Sequence, residues 1–302
     1  MKWVKQGRIF NPDKVLPQGM SASLMPTSKV IDDDKGVIRV YFSPRDLKNR
    51  SEVHFFDFDL KNYKIIKLSE KDLIRHGKLG AFDDSGITLG SIVEYKNQEL
   101  LYYTGWNLTL NVPMNNSIGV AILEGNEFKR LGDGPVMTRT LKEPYSCASP
   151  FVMEDQGILK MWYASMDKWT DTDDGPLHHY NIKYAESKDG IIWSRKGIIS
   201  IDYEKVGEYA FGRPFVLKEN DLYKMWYSYR GVAYRIGYAE STDGIDWIRK
   251  DNEAGIDVSN FGWDSEMIEY PFIFNHQDDR YMLYNGNDYG KNGMIGIARL
   301  EK

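Results

Sequence analysis

Acidic residues recur at one kind of position in this 302-residue chain, a few residues before short apolar segments. The acids in question are Asp83, Asp84, Glu143, Glu208, Asp264, Glu266 and Glu269. Carboxyl groups that crowd together away from water repel one another and lose hydration, so the pKa of some of them rises and one can keep its proton near neutral pH. A protonated carboxyl opposite an ionised one is the arrangement that cleaves glycosidic bonds. The same acids could instead cap turns or pair with Arg45, Arg213 and Arg230.

A second set of candidates, rich in arginine, amide and indole side chains, follows a different group of apolar segments. It comprises Arg45, Asp46, Trp106, Asn107, Asp167, Trp169, Arg230, Asn285 and Asn287, together with Tyr145 and Arg213 near the acids. A sugar ring offers apolar C–H faces and a rim of hydroxyl groups, which aromatic rings and polar groups bind together. The set therefore predicts a carbohydrate site, although Trp106 and Trp169 could equally belong to the core.

Two histidines, His178 and His179, follow Trp169 in a polar segment that begins at Gly175. A histidine there could contact a substrate or exchange a proton near pH 7. Two adjacent histidines are a weak signal for a metal, and a solvated loop is the alternative interpretation. We therefore expect neither a metal ion nor a cofactor.

An internal repeat indicates which elements carry these residues. The string Met161-Trp-Tyr-Ala-Ser recurs at Met225, and weaker copies begin at Val40, Leu101 and Met282. Successive copies are 61, 60, 64 and 57 residues apart. Periods of this size are typical of architectures built from repeated supersecondary units.

Two further strings accompany each copy in a fixed order. One begins at Ile182, repeats at Ile236 and follows the first string, whereas a Pro-Phe string, such as the one at Ser149, precedes it. All are short, rich in β-branched and aromatic residues, and bounded by Gly, Asp or Asn, which is the pattern of strands. With a fourth strand, each unit becomes a four-stranded antiparallel sheet. The sequence therefore predicts an all-β fold, a single five-bladed β-propeller domain over residues 1–302, whereas a β-sandwich would not explain the repeat.

Composition excludes some classes of function. The net charge is −5 with both signs interspersed, so no basic surface is expected to bind nucleic acid. Cys147 is the only cysteine, which rules out an intrachain disulfide. The amino-terminal residues lack the apolar core of a signal peptide, and no apolar run is long enough for a membrane helix, so we expect a cytoplasmic protein. The expected partner is a saccharide or sugar phosphate, and the oligomeric state is left open.

The motifs resemble those of the five-bladed β-propeller superfamily of glycoside hydrolases. The resemblance rests on Asn11-Pro12, on Asp84, and on the Pro-Phe strings at Ser149 and Arg213, and it extends over nearly the whole chain. This superfamily includes arabinanases and xylosidases of family 43, invertases and levansucrases of families 32 and 68, and mannoside phosphorylases of family 130. Longer strings, such as the one at Trp263, are most similar to an uncharacterised family 43-like group associated with bacterial surface-polysaccharide gene clusters.

The resemblance implies an Asp in the first unit, an Asp in the second and a Glu in the third as catalytic groups. Asp84 matches the second position and Glu143 could provide the acid, whereas the first unit opens on Gln18-Gly-Met-Ser without a carboxylate. The expected function is an enzyme that acts on a glycosidic bond, with Asp84 as one catalytic carboxylate and Glu269 or Glu208 as its partner. One alternative is a propeller that binds a saccharide without cleaving it. Another is a protein scaffold, which would expose a broad apolar patch.

Overall fold

The structure, a computed structural model, describes residues 1–287 and 293–302. Over these residues the chain forms twenty β-strands, a short α-helix (α1, Pro12–Val15) and a 3-10 helix (Asp251–Glu253). The strands pair antiparallel, apart from isolated parallel contacts such as the one between Tyr180 and Ala210. The prediction of an all-β chain is confirmed.

Among the described residues the strands form three four-stranded sheets and one eight-stranded sheet. The eight-stranded sheet consists of two groups of four strands joined by the single parallel contact between Tyr180 and Ala210, and we number the groups of four strands as units 1 to 5. Unit 1 contains β2 to β5, at Ser21–Asp32, Val37–Arg45, His54–Asp59 and Lys64–Leu68. Unit 2 contains β6 to β9, at Gly86–Tyr95, Gln98–Leu108, Met114–Glu124 and Glu127–Arg130. Unit 3 contains β10 to β13, at Cys147–Asp155, Ile158–Thr170, Leu177–Ser187 and Ser194–Ile201. Unit 4 contains β14 to β17, at Ala210–Glu219, Leu222–Arg230, Tyr234–Ser241 and Ile248–Arg249. Unit 5 contains β18 to β20, at Ile268–His276, Asp279–Gly286 and Met294–Leu300, and is completed by β1, Trp3–Phe10.

The repeated strings form equivalent strands in the units. The Met-Trp-Tyr strings lie in the second strand of each unit, and the string at Ile182 lies in a third strand. A glycine in the third strand allows a tyrosine ring from the second strand to lie against the backbone. At Gly119, for example, an added Cβ would stand 2.3 Å from a Tyr103 ring carbon. The repeated sequence strings therefore correspond to a packing contact that recurs between second and third strands.

The first strand of every unit contains a β-bulge at the same register. The bulges fall at Met25, Gly90, Ser149, Arg213 and Tyr270. Side chains from the second strand of the preceding unit accept hydrogen bonds from several of these bulges. The Ser149 N–H donates to Thr104 Oγ1 at 2.8 Å, and the Tyr270 N–H donates to Ser228 Oγ at 2.7 Å. The bulges thus bond each unit to the next.

Unit 5 makes the same kind of contact with unit 1. The Met25 N–H donates to Asn285 Oδ1 at 3.1 Å, and Asn285 Nδ2 donates to the Ser23 carbonyl at 2.9 Å. The last unit of the chain is therefore hydrogen-bonded to the first. Asn285, a predicted sugar ligand, is buried and holds this contact.

Acidic residues that precede the first strands of units 2, 3, 4 and 5 form hydrogen bonds and ion pairs within their own units. In unit 2, Asp83 Oδ2 accepts hydrogen bonds from Arg130 Nε at 2.8 Å and from the Tyr103 hydroxyl at 3.2 Å. In unit 5, Asp264 Oδ2 binds Lys5 Nζ at 2.7 Å and the Tyr284 hydroxyl at 3.0 Å. Each acid joins the start of a unit to a cation on its fourth strand.

Units 3 and 4 use glutamates for the same purpose. Glu143 is ion-paired with Arg195 and accepts a hydrogen bond from the Tyr163 hydroxyl at 3.0 Å. Glu208 receives both terminal nitrogens of Arg249, at 2.8 and 2.9 Å. Such bidentate, charge-assisted contacts are among the stronger hydrogen bonds in proteins. The repeated acids are therefore part of the framework of the units.

Removing one tyrosine hydroxyl from these contacts is expected to weaken the fold modestly. Tyr163→Phe keeps the buried ring and the Glu143–Arg195 pair but deletes the hydrogen bond, so the free energy of unfolding should fall by about 1 kcal/mol. Urea denaturation measures the difference. Tyr95→Phe is the matched control, since the exposed Tyr95 hydroxyl donates only to the Lys188 carbonyl. Equal stabilities of the two variants would contradict the expectation.

Candidate functional site

A cavity of about 230 Å³ lies where the ends of strands from all five units meet, and we call it the channel cavity. Residues from every unit line it, including Leu24, Met25, Arg45, Asn49, Thr88, Thr104, Trp106, Asn116, Ser149, Tyr180, Gly212, Ser228, Tyr234 and Tyr270. The lining combines aromatic rings with hydroxyl, amide and guanidinium groups. Within the part of the chain that the structure describes, no aspartate or glutamate belongs to it.

Arg45 and Trp106 are two predicted sugar ligands that do line the channel cavity. The Arg45 guanidinium lies 5.9 Å from the centre of the Trp106 ring, and its Nη1 donates to Asn49 Oδ1 at 2.9 Å. Trp106 Nε1 donates to Ser51 Oγ at 3.0 Å, which fixes the indole. A cation and an aromatic face therefore share one side of the cavity.

The predicted catalytic acids Asp84, Glu143 and Glu208 are not brought together in the cavity. Asp84 accepts hydrogen bonds from the Gly80 N–H and the Ser85 hydroxyl, both at 2.9 Å, within its own loop. Hydrogen bonds from Arg249 hold the pKa of Glu208 at about 2, despite partial burial, so this carboxyl is ionised at neutral pH. Together with the Glu143–Arg195 pair, these contacts favour the alternative, framework interpretation of the three acids.

Glu269 differs from the other three acids. It is buried, and within the described residues its Oε2 has no hydrogen-bond partner. Burial raises the pKa of its carboxyl to about 8, because removal from water disfavours the charged form. The Tyr270 side chain, which lines the channel cavity, hydrogen-bonds to this carboxyl and lowers the pKa in part, as does the charge of Arg230. Glu269 is therefore a protonated acid at neutral pH, one residue from the cavity lining.

Arg213 crosses between units instead of lining the cavity. Its Nη1 donates to the Gly90 carbonyl in unit 2, and its Nη2 donates to the Pro26 carbonyl at 3.0 Å and to Thr27 in unit 1. The side chain is buried, and burial lowers the pKa of the guanidinium to about 9. The predicted role of Arg213 as a sugar ligand stays a prediction, and its terminal nitrogens already donate hydrogen bonds to the protein.

Two more of the predicted site acids make structural contacts. Asp46 accepts hydrogen bonds from the Lys48 and Arg50 backbone N–H groups and from the Arg50 side chain. Asp83 is buried in the unit 2 contact described above. Neither lines the channel cavity.

The remaining predicted ligands lie in loops or near the ends of second strands. Asn287 accepts the Glu266 N–H at 2.8 Å and donates to the Gly262 carbonyl. Tyr145, Asp167 and Glu266 are exposed, whereas Asn107 is half-buried. None of these lines the cavity, and their roles as ligands stay predictions.

The predicted aromatic and histidine ligands of unit 3 form a continuous group. His178 stacks on Tyr180 with ring centres 4.5 Å apart, and Trp169 meets His178 edge-on at 6.0 Å. His179 Nε2 lies 2.9 Å from the Thr170 hydroxyl. Burial, with a contribution from Arg230, lowers the pKa of His178 to about 4, so its ring is neutral at pH 7.

Sequence reasoning missed the three tyrosines that line the cavity, Tyr180, Tyr234 and Tyr270. Tyr270 had a usable signal, because it precedes Pro271 at the register that Ser149 and Arg213 occupy in their own strands. Tyr180 and Tyr234 also had a signal, because each stands two residues before the isoleucine of the third-strand string, Ile182 or Ile236.

Several aliphatic side chains on the mouth loops are almost fully exposed, among them Leu79, Leu110, Leu141, Val206 and Val232. Each stands on a different loop, and single exposed apolar residues are common on protein surfaces. They do not by themselves mark the broad patch that a protein scaffold would need. Among the described residues, no helix has the length and apolarity that crossing a bilayer would require.

Comparison with known proteins identifies relatives of the whole chain. A Mycobacterium tuberculosis protein, "uncharacterized protein Rv1502", is 42% identical over 304 residues, which is 100% of this chain and 100% of that protein. The chain belongs to the Rv1502 family. No family model matches it. A part of the chain is similar to a "1,2-beta-oligomannan phosphorylase" of a Thermoanaerobacter species, with 30% identity over 168 residues, or 50% of this chain and 53% of the enzyme.

Solved structures with the same fold are glycoside hydrolase propellers. The chain superimposes on a structure described as "Glycoside hydrolase" with a TM-score of 0.79 and 17% identity, over 99% of this chain and 92% of that protein. A thermostable family-43 glycoside hydrolase gives 0.66 and 16%, over 94% and 90%. An endo-arabinase from Bacteroides thetaiotaomicron gives 0.63 and 14%, over 98% of each protein. This Rv1502-family chain therefore has a glycoside hydrolase-like β-propeller fold.

Proposed function

We propose that this protein is a glycosyl-processing enzyme, which binds a saccharide in the channel cavity and acts on its glycosidic bond. The observation that carries the proposal is the cavity itself, whose lining combines aromatic, hydroxyl and guanidinium groups. Glu269, a buried acid with a raised pKa, is outside the lining and hydrogen-bonds to the lining residue Tyr270. The glycoside hydrolase-like fold of the chain supports the same class of substrate.

The architecture that builds this cavity is a single five-bladed propeller over residues 1–302. Units 1 to 5 are its blades, and the contacts of Asn285 with unit 1 close the ring. The pairing of β1 with β20 completes the last blade from both ends of the chain. Closure explains why residues from all five units line one cavity.

The lining suits a sugar together with an anionic group, such as a phosphate or a carboxylate, bound beside it. Trp106, Tyr180 and Tyr234 offer faces on which the C–H side of a ring can lie, while Thr104, Ser149, Ser228 and Asn116 offer hydrogen bonds to hydroxyl groups, and all of these residues line the cavity. Arg45 is the cation in the lining, and its planar fork matches a phosphate or carboxylate.

Glu269 acts as proton donor through Tyr270. The Tyr270 hydroxyl gives its proton to the glycosidic oxygen as the bond to the anomeric carbon breaks, and Glu269 replaces that proton. An incoming oxygen, from water or from inorganic phosphate, bonds to the anomeric carbon and releases a proton, which returns the Glu269 carboxylate to its acid form. A donor with a pKa near the working pH is the efficient choice for such a step.

The identity of the acceptor, water or inorganic phosphate, distinguishes hydrolysis from phosphorolysis. Hydrolysis with inversion needs a second carboxylate to activate water, and the described lining holds none. Phosphate already carries its own negative charge, and Arg45 can bind it. The similarity of half the chain to a 1,2-β-oligomannan phosphorylase supports phosphate as the acceptor.

A saccharide-binding propeller without catalysis is the second candidate. It is favoured by the framework contacts of Glu143 and Glu208, which commit two of the expected catalytic acids to arginines. A role in bacterial surface-polysaccharide metabolism and a cytoplasmic location stay predictions under either candidate.

Calorimetry with a panel of mono- and oligosaccharides, followed by product analysis with and without inorganic phosphate, tests the proposal. We expect at least one saccharide to bind and to be turned over, and a sugar phosphate to appear only when phosphate is present. Tight binding with no product over days would establish the second candidate. A panel in which nothing binds at millimolar concentration would refute both.

A further inference from the structure

An aromatic wall connects the channel cavity with the surface between units 3 and 4. It consists of Trp169, His178, Tyr180, Tyr209 and Tyr234. Tyr180 and Tyr234 line the cavity, and His178, which does not line it, stacks on Tyr180. Tyr209 packs 6.1 Å from His178, and Trp169 stands at the outer end.

The hairpin that carries the wall is unusually long. Strand β11 continues to Thr170, seven residues beyond Tyr163, whereas β15 ends at Arg230, only three residues beyond the equivalent Tyr227. The added length carries Trp169, which pairs with His178 across the hairpin. A longer hairpin is not needed to complete the sheet, because the other units close with shorter ones.

The outer rings of the wall have no role in the core. Trp169 and Tyr209 are half-buried and lie outside the hydrophobic clusters of the described residues. Arg230 joins the two halves of the wall, with its guanidinium 5.6 Å from the Tyr209 ring and 5.1 Å from the Tyr234 ring. The neutral His178 ring can both donate and accept a hydrogen bond. Aromatic faces that lie beside hydrogen-bonding groups, here the Arg230 guanidinium and the His178 imidazole, suit a second sugar ring.

We infer that the aromatic wall is a second saccharide subsite, so that the ligand is an oligosaccharide whose further residues lie from Tyr180 out to Trp169. The inference rests on the proposed function, since the first residue occupies the channel cavity. The wall lies in units 3 and 4, so the saccharide extends away from Arg45 and Asn49 of unit 1.

Affinity measured against saccharide length tests the subsite. The probes are homologous series of one to four residues, including mannose and β-1,2-linked manno-oligosaccharides, in calorimetry with the full chain. In the wild type we expect the affinity to rise from one residue to two or three. Trp169→Ala should remove on the order of tenfold from the affinity for the longer members, by loss of aromatic contact, and leave the monosaccharide unchanged. Trp169→Phe should restore most of the loss.

Phe261→Ala is the matched control, because Phe261 is an exposed aromatic residue on a mouth loop of unit 5, outside the wall. It should bind all lengths as the wild type does. Equal affinity for every length in the wild type, or a length dependence that survives Trp169→Ala, would overturn the subsite while leaving the cavity site intact. Failure of every probe to bind would overturn the proposed function as well.

Discussion

Glu269→Gln is expected to lower kcat by about 10²- to 10⁴-fold, the usual contribution of a positioned proton donor. Glutamine has nearly the same shape and remains uncharged, but it has no acidic proton to give. Because saccharide contacts are made by the cavity lining and not by Glu269, the dissociation constant should stay within about twofold of the wild type, far less than the tenfold that 1.4 kcal/mol represents. Turnover of the panel saccharide and calorimetry on the same preparations measure the two quantities.

The direction in which wild-type turnover changes with pH tests whether Glu269 acts in its protonated form. Glu269 must be protonated to act, and burial raises its pKa to about 8, so turnover should fall as the pH rises through about 8. Tyr270→Phe should lose activity as Glu269→Gln does. Glu253→Gln, which changes an exposed carboxylate, should keep full activity. Wild-type turnover by Glu269→Gln would rule out the proton-donor role.

Stability gives an independent measure of the same carboxyl. Between the ordinary pKa of 4.5 and the native value of about 8 the folded state holds the proton more tightly than the unfolded chain does. Stability of the wild type should therefore fall as the pH rises through this window, by roughly 2 kcal/mol between pH 5 and 7 relative to Glu269→Gln. This readout does not depend on finding a substrate. Parallel stabilities of the two proteins across the window would show that Glu269 titrates normally.

Arg213→Ala is expected to produce the largest loss of stability, about 3 to 5 kcal/mol. The change leaves a hole at the centre of the molecule and removes the donors to the Gly90 and Pro26 carbonyls. It also cuts a link from unit 4 to units 1 and 2. Urea denaturation, or the midpoint of thermal unfolding, measures the loss.

Arg235→Ala is the matched control for this prediction. Arg235 is also in unit 4 and also donates to two backbone carbonyls, those of Tyr234 and Glu266, but it lies near the surface. We expect a cost of about 1 kcal/mol or less there, as for most surface substitutions. A similarly small cost for Arg213→Ala would mean that the central contacts contribute little.

The strands were predictable because their packing is repeated. A tyrosine stands at one position of four second strands, and in three of them, at Tyr103, Tyr227 and Tyr284, it packs against a third-strand glycine. The short Asp-Gly turns repeat for a similar reason, since Asp189 Oδ1 accepts the N–H groups of Ile191 and Ile192 locally. Interactions that are local and repeated can therefore be recognised as repeated motifs in the sequence.

The role of the acids was harder to predict, because their partners are distant in the chain. Asp83 binds an arginine 47 residues later, and Glu143 binds one 52 residues later. Both arginines stand in a short Gly-x-x-aromatic-x-Arg motif, which does not by itself show that it pairs with an acid of the preceding segment. The partner of Asp264 is Lys5, near the other end of the chain. The recurrence of the acids alone therefore suggested that they meet in a common cavity. A tyrosine also recurs at a fixed position in four second strands, and this second pattern indicated a repeated structural contact instead. Among the predicted catalytic acids, Glu143 and Glu208 are paired with arginines, whereas Asp84 and Glu269 have no ion pair within the described residues.

The position of β1 in unit 5 has a consequence for synthesis of the protein. Trp3 pairs with Leu300, and Phe10 pairs with Ile295, so β1 leaves the ribosome long before β20, the strand with which it pairs. Until then units 1 to 4 can form, but the closing sheet exposes an unpaired edge that invites association with other chains. Translation pauses late in the message, or loss of a few carboxy-terminal residues, should therefore favour aggregation over folding, even though no residue of the cavity is missing.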